Sequence, residues 1–400
     1  MATEDTTKMA KWMLPEGIEE TLPAEAAVFE RLRRHLLDHF SACGYDMVMT
    51  PFIEYLDSLL AGTGQELDMQ TFKVTDALSG RQMGVRADMT LQAARLDAHQ
   101  IKLDSPVRLC YMGTVLRTHQ AGFAGSRAPL QVGAELYGHG GVESDLEILE
   151  LMLEVLGLTG VADVHIDLGH VGIFRGLSVS AGLSAADEQT LFDALQRKAV
   201  PEIQSFLKTL ELDQQTSNWF AQLADLNGGA ETLERASKIF ADASDEVLKA
   251  LDDMQRVSRL LIARYPDLSV HYDLAELRGF AYQTGMVFAA FIPGYGQEIA
   301  RGGRYDEIGS IFGRARPATG FSADLKTLVR LSSKLPDQTI SGIFAPAIDT
   351  DESLREAIVT LRQQGERVIV ELPNQVGDAQ AMGCDRILKQ VNGAWKPVAV

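Results

Sequence analysis

Nowhere does this chain hold an apolar run near the roughly 18 to 20 residues that cross a bilayer, so nothing in it reads as a membrane span. Cysteine is scarce. Cys43, Cys110 and Cys384 lie far apart and without metal-ligand spacing, which fits small semi-buried residues in a reduced cytoplasm better than a disulfide framework. Basic clusters are missing too: 55 acids against 37 bases leave a formal charge of −18. A phosphate reader needs a basic footprint, so this balance argues against nucleic acid and favours protein or small-molecule partners. The Gly-x-Gly-x-x-Gly turn of a dinucleotide fold is absent, as are internal repeats and low-complexity tracts. Met1–Lys11 is polar and mixed in charge, without the basic-then-apolar pattern of a leader, and reads as a frayed end.

Present instead is an ordinary apolar content of 46% spread over 400 residues, enough for two or three domains. Pro23 suits a helix start, and Val28, Leu32, Leu36 and Phe40 recur at helical spacing until Gly44 stops the run. Tyr45–Pro51 reads as a strand. Thr71–Val74 and Met83–Arg86 read as a hairpin, and Asp88–Ala98 as a helix. Val107–Leu116 and Leu130–Tyr137 read as paired strands joined by a loop with Gly122 and Gly125. Leu146, Leu149, Leu153 and Leu156 mark another helix. This pattern predicts an α+β fold, an antiparallel sheet with flanking helices.

Asp163–His170 alternates cleanly and reads as a strand. His165 and His170 are five apart on it, hence on opposite faces, which speaks against a shared metal. From Phe174 to Arg264 the pattern is helical, interrupted near Gly182, Pro201 and Asn227-Gly228-Gly229. Strands resume at His271–Leu274, Gly285–Ile292 and Glu298–Gly302, with a helix from about Ala323. A linker is expected around Pro336, followed by strand Gly342–Ala345, a helix through Leu354, Ile358 and Leu361, and strand Arg367–Val370. The expected division is a core in two parts, 1–170 and 271–333, a helical insertion at 171–270, and a small α/β unit at 334–400.

Chemistry concentrates where polar residues interrupt apolar strands. Ala300–Asp306 reads Ala-Arg-Gly-Gly-Arg-Tyr-Asp and works as a pair with Glu276–Phe288. Its two glycines permit close backbone approach, either as a pocket floor or as a bulge with solvated charges. The other polar positions are Arg86 to Thr90, Arg117, Gln131 with Glu135, Arg278, and Tyr282-Gln283. Gln131 and Glu135 are four apart on one strand face. Buried there, they need partners: an internal ion-pair network with arginines, or a zwitterion whose amino group meets carboxylates and whose carboxylate meets an arginine fork.

With these residues in view, the chain resembles class II histidyl-tRNA synthetases over nearly the whole catalytic core. Gly44 through Pro51 and Glu54 resembles the first class II motif. Arg117 through Gln131 to Glu135 resembles the second, with the spacing from Arg to Gln kept. Arg278-Gly279 to Thr284-Gly285 and Arg301 to Asp306 resemble the two histidine-specific signatures. The stretches Leu14-Pro15-Glu16-Gly17, Gln70 to Lys73 and Arg86 to Thr90 resemble a non-catalytic branch of that family, the regulatory subunits of ATP phosphoribosyltransferase.

The resemblance implies a class II synthetase-like sheet and a histidine pocket. Asp88, Thr90 and Gln131 would face the α-amino group, Glu135 an imidazole nitrogen, and Arg117 and Arg278 the carboxylate. Tyr282 would wall the pocket, and Gln283 stands where synthetases have a second tyrosine for the other imidazole nitrogen. Gly302, Gly303 and Arg304 would complete the wall. The nucleotide half departs from the family pattern: His119 replaces an acid, Pro129 the aromatic stacked on adenine, and Gly125 a loop arginine, though Arg127 remains. Lys326-Thr327 replaces the Glu-Arg of the third motif. From Leu335 onward, nine acids and six bases form what resembles a remnant of an anticodon-binding domain and a poor phosphate reader.

The implied role is non-catalytic. The chain would activate the short-form catalytic subunit of ATP phosphoribosyltransferase and mediate feedback by L-histidine, as a dimer within a hetero-octamer, needing no cofactor or metal. Two other readings stay open: an active histidyl-tRNA synthetase, and a stand-alone histidine sensor or RNA-binding paralogue.

Overall fold

The computed structural model describes residues 13–62, 65–120, 125–277, 279, 282–332, 341–347 and 350–400. Met1–Lys11, Gly122, Arg278 and Pro336 therefore lie outside the described residues. The chain divides into two compact units, Met1–Leu335 and Pro336–Val400.

The first unit begins with helix Pro23–Ala42, whose first turn carries the proline and whose buried stripe is Val28, Phe29, Leu32, Leu36 and Phe40. Gly44, at φ +82°, ends the run in a conformation that favours glycine. Strands follow as β1 (Asp46–Met47), β2 (Ile53–Tyr55), β3 (Lys73–Thr75), β4 (Gln82–Val85), β5 (Val107–Thr114) and β6 (Leu130–Tyr137). Next come β7 (His165–His170), β8 (Asn227–Gly228), β9 (Ser269–Asp273), β10 (Met286–Phe291), β11 (Ala300–Arg304) and β12 (Ala318–Asp324). Strands β2, β4 and β3 make a small separate sheet. The rest form one nine-stranded sheet in the order β1-β5-β6-β12-β11-β10-β7-β9-β8.

From β5 to β7 every neighbouring pair is antiparallel. The outer pairs β1–β5 and β7–β9 are parallel, so the sheet is mixed rather than purely antiparallel. Parallel neighbours need a long crossover. Between β7 and β9 that crossover contains the helices Val171–Ser180, Ala185–Gln196, Val200–Leu207, Gln214–Leu223, Glu231–Ile239 and Asp245–Arg264. The Asn227-Gly228 interruption in the helical pattern is itself a strand, pairing with Tyr272 and Asp273 at the sheet edge.

Two expectations shift. Tyr45–Pro51 yields only the short ladder Asp46–Met47. The helix expected from Ala323 starts at Leu325, because Ala318–Asp324 is a strand. Its small residues carry little strand propensity; pairing on both edges, to β6 and β11, holds it extended.

Helix Val142–Leu158 packs on the back of the sheet and buries Leu146, Ile148, Leu149, Met152, Val155 and Leu156. Phe40 is fully buried, with its ring 6.5 Å from those of Tyr45 and Phe321. It thereby joins the first helix to β12.

In the second unit, β13 (Ile343–Ala345), β14 (Val368–Val370), β15 (Arg386–Val391) and β16 (Ala394–Ala399) form a sheet in the order β14-β13-β15-β16. Helix Glu352–Gln363 is capped by Asp351, which accepts from the Leu354 amide. Ile343, Ala345, Leu354, Ile358, Val368 and Leu388 make its core. The β15–β16 hairpin turns at Asn392-Gly393, with φ of 53° and 80°, a two-residue turn of the kind hairpins favour.

Phe40→Ala removes a buried aromatic that closes two elements together. It is expected to cost about 3–5 kcal/mol, read as a lower urea midpoint at unchanged slope.

Candidate functional site

Strand register builds the site. Glu135 on β6 pairs with Gly320 on β12, Gly320 with Gly303 on β11, and Gly303 with Val287 on β10. Paired residues share a face, so this row carries one carboxyl group beside two positions that have no side chain. A Cβ at Gly320 would lie 1.5 Å from Glu135 Oε2. Only glycine there leaves the carboxyl group its place.

Above the row lies a cleft of about 590 Å³ lined by Asp88, Thr90, Arg117, Glu135, Tyr282 and Gln283, with Arg301, Gly302, Gly303 and Gly320 along its floor. The stretches Glu276–Phe288 and Ala300–Asp306 meet there where β10 pairs with β11. The Thr284 amide donates to the Arg304 carbonyl at 2.7 Å, and the Asp306 amide to Thr284 Oγ1 at 2.9 Å.

Glu135 is almost wholly buried and takes hydrogen bonds from the Tyr111 hydroxyl at 2.8 Å and from Tyr305. Burial pushes its pKa up to about 8, against the lowering effect of the two tyrosines. Burial also holds Tyr111, Tyr137 and Tyr305 well above the usual phenol range, so they remain donors. Thr90 Oγ1 lies 3.0 Å from the Tyr111 hydroxyl. Gln131 accepts from the Met89 amide at 2.9 Å and donates to Asp88 Oδ2 at 3.1 Å, while Asp88 Oδ1 accepts from the Thr90 amide at 2.7 Å. Among the described residues the partners of Gln131 and Glu135 are thus an amide, a carboxylate and phenols, not the arginine network the residue types also allowed.

Gln283 is buried, and its Nε2 donates to the Tyr282 hydroxyl at 3.1 Å. Among the described residues its Oε1 has no hydrogen-bond partner, so there a buried acceptor beside the cleft stands open. Such a group costs free energy until a donor reaches it. Tyr282 is partly exposed, its ring 6.1 Å from that of Tyr305.

Arg117 lines the cleft and donates to the Ala87 carbonyl at 3.3 Å. Gln131 instead lines a neighbouring cavity of about 350 Å³, with Arg117, Pro129, Arg301, Asp324 and Thr327. Arg278 lies outside the described residues. Arg304, expected on the wall, does not line the cleft. Its row, Leu136–Thr319–Arg304, faces the other side of the sheet because successive side chains alternate. There it donates to Asp145 at 3.1 Å, to Ser144 Oγ at 2.8 Å, and to the carbonyls of His139 and Gly141.

Tyr111 and Tyr305 were not singled out from sequence. The signal for Tyr111 was its cross-strand partner, Gly133, whose missing side chain makes room for the phenol. The histidines of β7 diverge as their spacing predicts. His170 caps the next helix by accepting from the Gly172 amide at 3.1 Å, and burial lowers its pKa to about 3. His165 stacks on Phe291.

Over residues 17–328 the chain matches the histidyl-tRNA synthetase family, and over 340–398 the C-terminal domain of the ATP phosphoribosyltransferase subunit HisZ. It is 56% identical over 382 residues to the ATP phosphoribosyltransferase regulatory subunit of Thioalkalivibrio sulfidiphilus, covering 96% of each chain. The chain belongs to the ATP phosphoribosyltransferase regulatory subunit family. The member from Alkalilimnicola ehrlichii is 54% identical over 394 residues, 98% of each chain. A solved structure described as an ATP phosphoribosyltransferase regulatory subunit/histidyl-tRNA synthetase from Bacillus halodurans superposes with a TM-score of 0.80 at 28% identity, over 94% of this chain and 97% of that one. The family thus carries a histidyl-tRNA synthetase fold.

The Glu135 pKa sets a pH signature. Between its ordinary value of 4.5 and about 8, the folded state holds a proton the unfolded state has lost, so this residue's contribution worsens as pH rises. Glu135→Gln removes that dependence. Wild-type stability relative to the variant is expected to fall by on the order of a few kcal/mol from pH 4.5 to 8, measured by denaturant unfolding across that range.

Proposed function

We propose that this chain is the non-catalytic subunit of a cytoplasmic ATP phosphoribosyltransferase complex. It docks on the short-form catalytic subunit, raises its activity in the first step of histidine biosynthesis, and relays inhibition when L-histidine fills the cleft. The open Gln283 acceptor, facing the same cleft as Glu135, is the observation that carries this reading. An imidazole ring with one nitrogen toward each would supply the missing donor. Asp88 and Thr90 stand ready for the α-amino group and Arg117 for the carboxylate. The regulatory-subunit names of the relatives support the partner.

The absence of catalysis rests on the second cavity. Arg127, the loop arginine that remains, donates to the carbonyls of Arg117 and Glu16 and lies 5.2 Å over the Phe72 ring. Asp324 holds the Thr327 hydroxyl at 2.7 Å and the Leu130 amide at 2.9 Å. A threonine tied to a carboxylate stands where a synthetase has its triphosphate-binding arginine. Such a contact contributes roughly 1.5–3 kcal/mol, and more in a transition state. Self-association, within a hetero-octamer of four regulatory and four catalytic chains, is supported by exposed Met47, Met49, Phe52, Ile53 and Tyr55 beside the edge strand β1. Among the described residues no helix is long and apolar enough to cross a membrane.

Coupling between the histidine and catalytic-subunit sites is expected at about 1–3 kcal/mol and reciprocal. Adding the chain to a short-form catalytic subunit should raise turnover, and histidine should reverse the gain. Unchanged activity and unchanged sedimentation on mixing would reject the partner. Glu135→Ala should weaken calorimetric histidine affinity at least about tenfold (a loss near 1.4 kcal/mol) with the circular dichroism spectrum intact; unaltered affinity would reject the pocket. Histidine-dependent pyrophosphate exchange into ATP should be absent, and clear exchange would favour an active synthetase.

A further inference from the structure

We propose that His39, Cys43 and Glu154 form a surface site for a divalent transition metal, with zinc as its occupant. Among the described residues they are the one group of three His, Cys, Asp or Glu side chains whose ligating atoms all lie within 4.8 Å of one another. The sequence hides it, since no cysteine sits near another. His39 and Cys43 are four apart at the end of helix Pro23–Ala42, where that spacing puts two ligands on one face. Glu154 reaches them from helix Val142–Leu158.

The geometry fits one ion. His39 Nε2 is 2.8 Å from Glu154 Oε2 and 3.7 Å from Cys43 Sγ. Zinc bonds of about 2.0–2.3 Å at tetrahedral angles place ligand atoms about 3.3–3.6 Å apart. Small side-chain rotations close the difference, and the Cys43 side chain is only partly buried. A His–Glu contact needs no third group, whereas a thiol beside the same nitrogen is what a borderline-soft cation selects. Three protein ligands leave a fourth position for water or a partner group. Glu147, the other nearby carboxylate, is already held by Arg108 at 2.6 Å and Tyr45 at 2.8 Å. Without a cation, partial burial of the sulfur and the charges of Glu154 and Glu147 raise the thiol pKa. A dication reverses that balance and favours the thiolate. Bound zinc would tie the end of the first helix to the helix that follows β6, the strand bearing Gln131 and Glu135.

The test uses the full chain without a polyhistidine tag, stripped by chelator under reducing conditions and titrated with cobalt(II), then with zinc in competition. Wild type is expected to bind one cobalt per chain with a thiolate-to-metal charge-transfer band that zinc abolishes, and zinc is expected to raise its melting temperature. Cys43→Ser should lose the band and weaken zinc binding at least about tenfold, while Cys384→Ser should change neither. Glu154→Gln keeps the thiol and should weaken zinc binding as well, which serves if the serine variant folds poorly. No charge-transfer band in wild type, or a band that survives Cys43→Ser, overturns the site.

Discussion

A carboxyl group set in the middle of a sheet must be matched by donors, or it unfolds what surrounds it. In this protein the donors come from elsewhere in the sheet region: the Tyr111 phenol from β5 and the Tyr305 phenol from just beyond β11. Much else follows from that match. Gly320 must lack a side chain because Glu135 occupies the space. Gly133 must lack one because Tyr111 does. The cleft is therefore the residue of a packing solution, the volume left when a sheet accommodates a buried acid with glycines rather than with a matching base.

The two neighbouring cavities differ for a physical reason. Around Glu135 the phenols of Tyr111 and Tyr305 match the carboxyl group, while Gln283 Oε1 has no partner among the described residues. Across the cleft, Asp324 satisfies the Leu130 and Lys326 amides and the Thr327 hydroxyl. There the polar groups satisfy one another. On the far side of the sheet, Arg304 anchors the motif. Burial raises Asp145 to about 6 even with this arginine opposing it, so loss of Arg304 would leave a buried acid without its main counter-ion.

Much of this was legible in the residues. The amphipathic helix Pro23–Ala42, the pairing of β5 with β6, and the shared face of Gln131 and Glu135 all follow from period alone. What was not legible depended on neighbours remote in sequence. β12 is a strand because β6 and β11 hold it, not because Ala-Thr-Gly-Phe-Ser-Ala-Asp favours one. Arg304 could be placed on a sheet face only once its row was known, and a motif read as a unit hid the alternation within it. The partners of Glu135 come from 24 and 170 residues away, a distance no local pattern spans. By contrast the Asn392-Gly393 hairpin is local, a turn its two residues specify by themselves.

The crossover between β7 and β9 has a temporal side. Its helices lie between the residues that hold Glu135 on β6 and those on β11 and β12 that form the rest of the floor. During synthesis Glu135 emerges long before Gly303, Tyr305 and Gly320, and loop closure over such a span is slow. Until those strands arrive the acid can stay in water and the sheet open along β6. The cleft is thus among the last parts of the unit to exist. A chain able to hold a ligand there has, by that fact, finished folding its core, so occupancy would report completion as well as concentration.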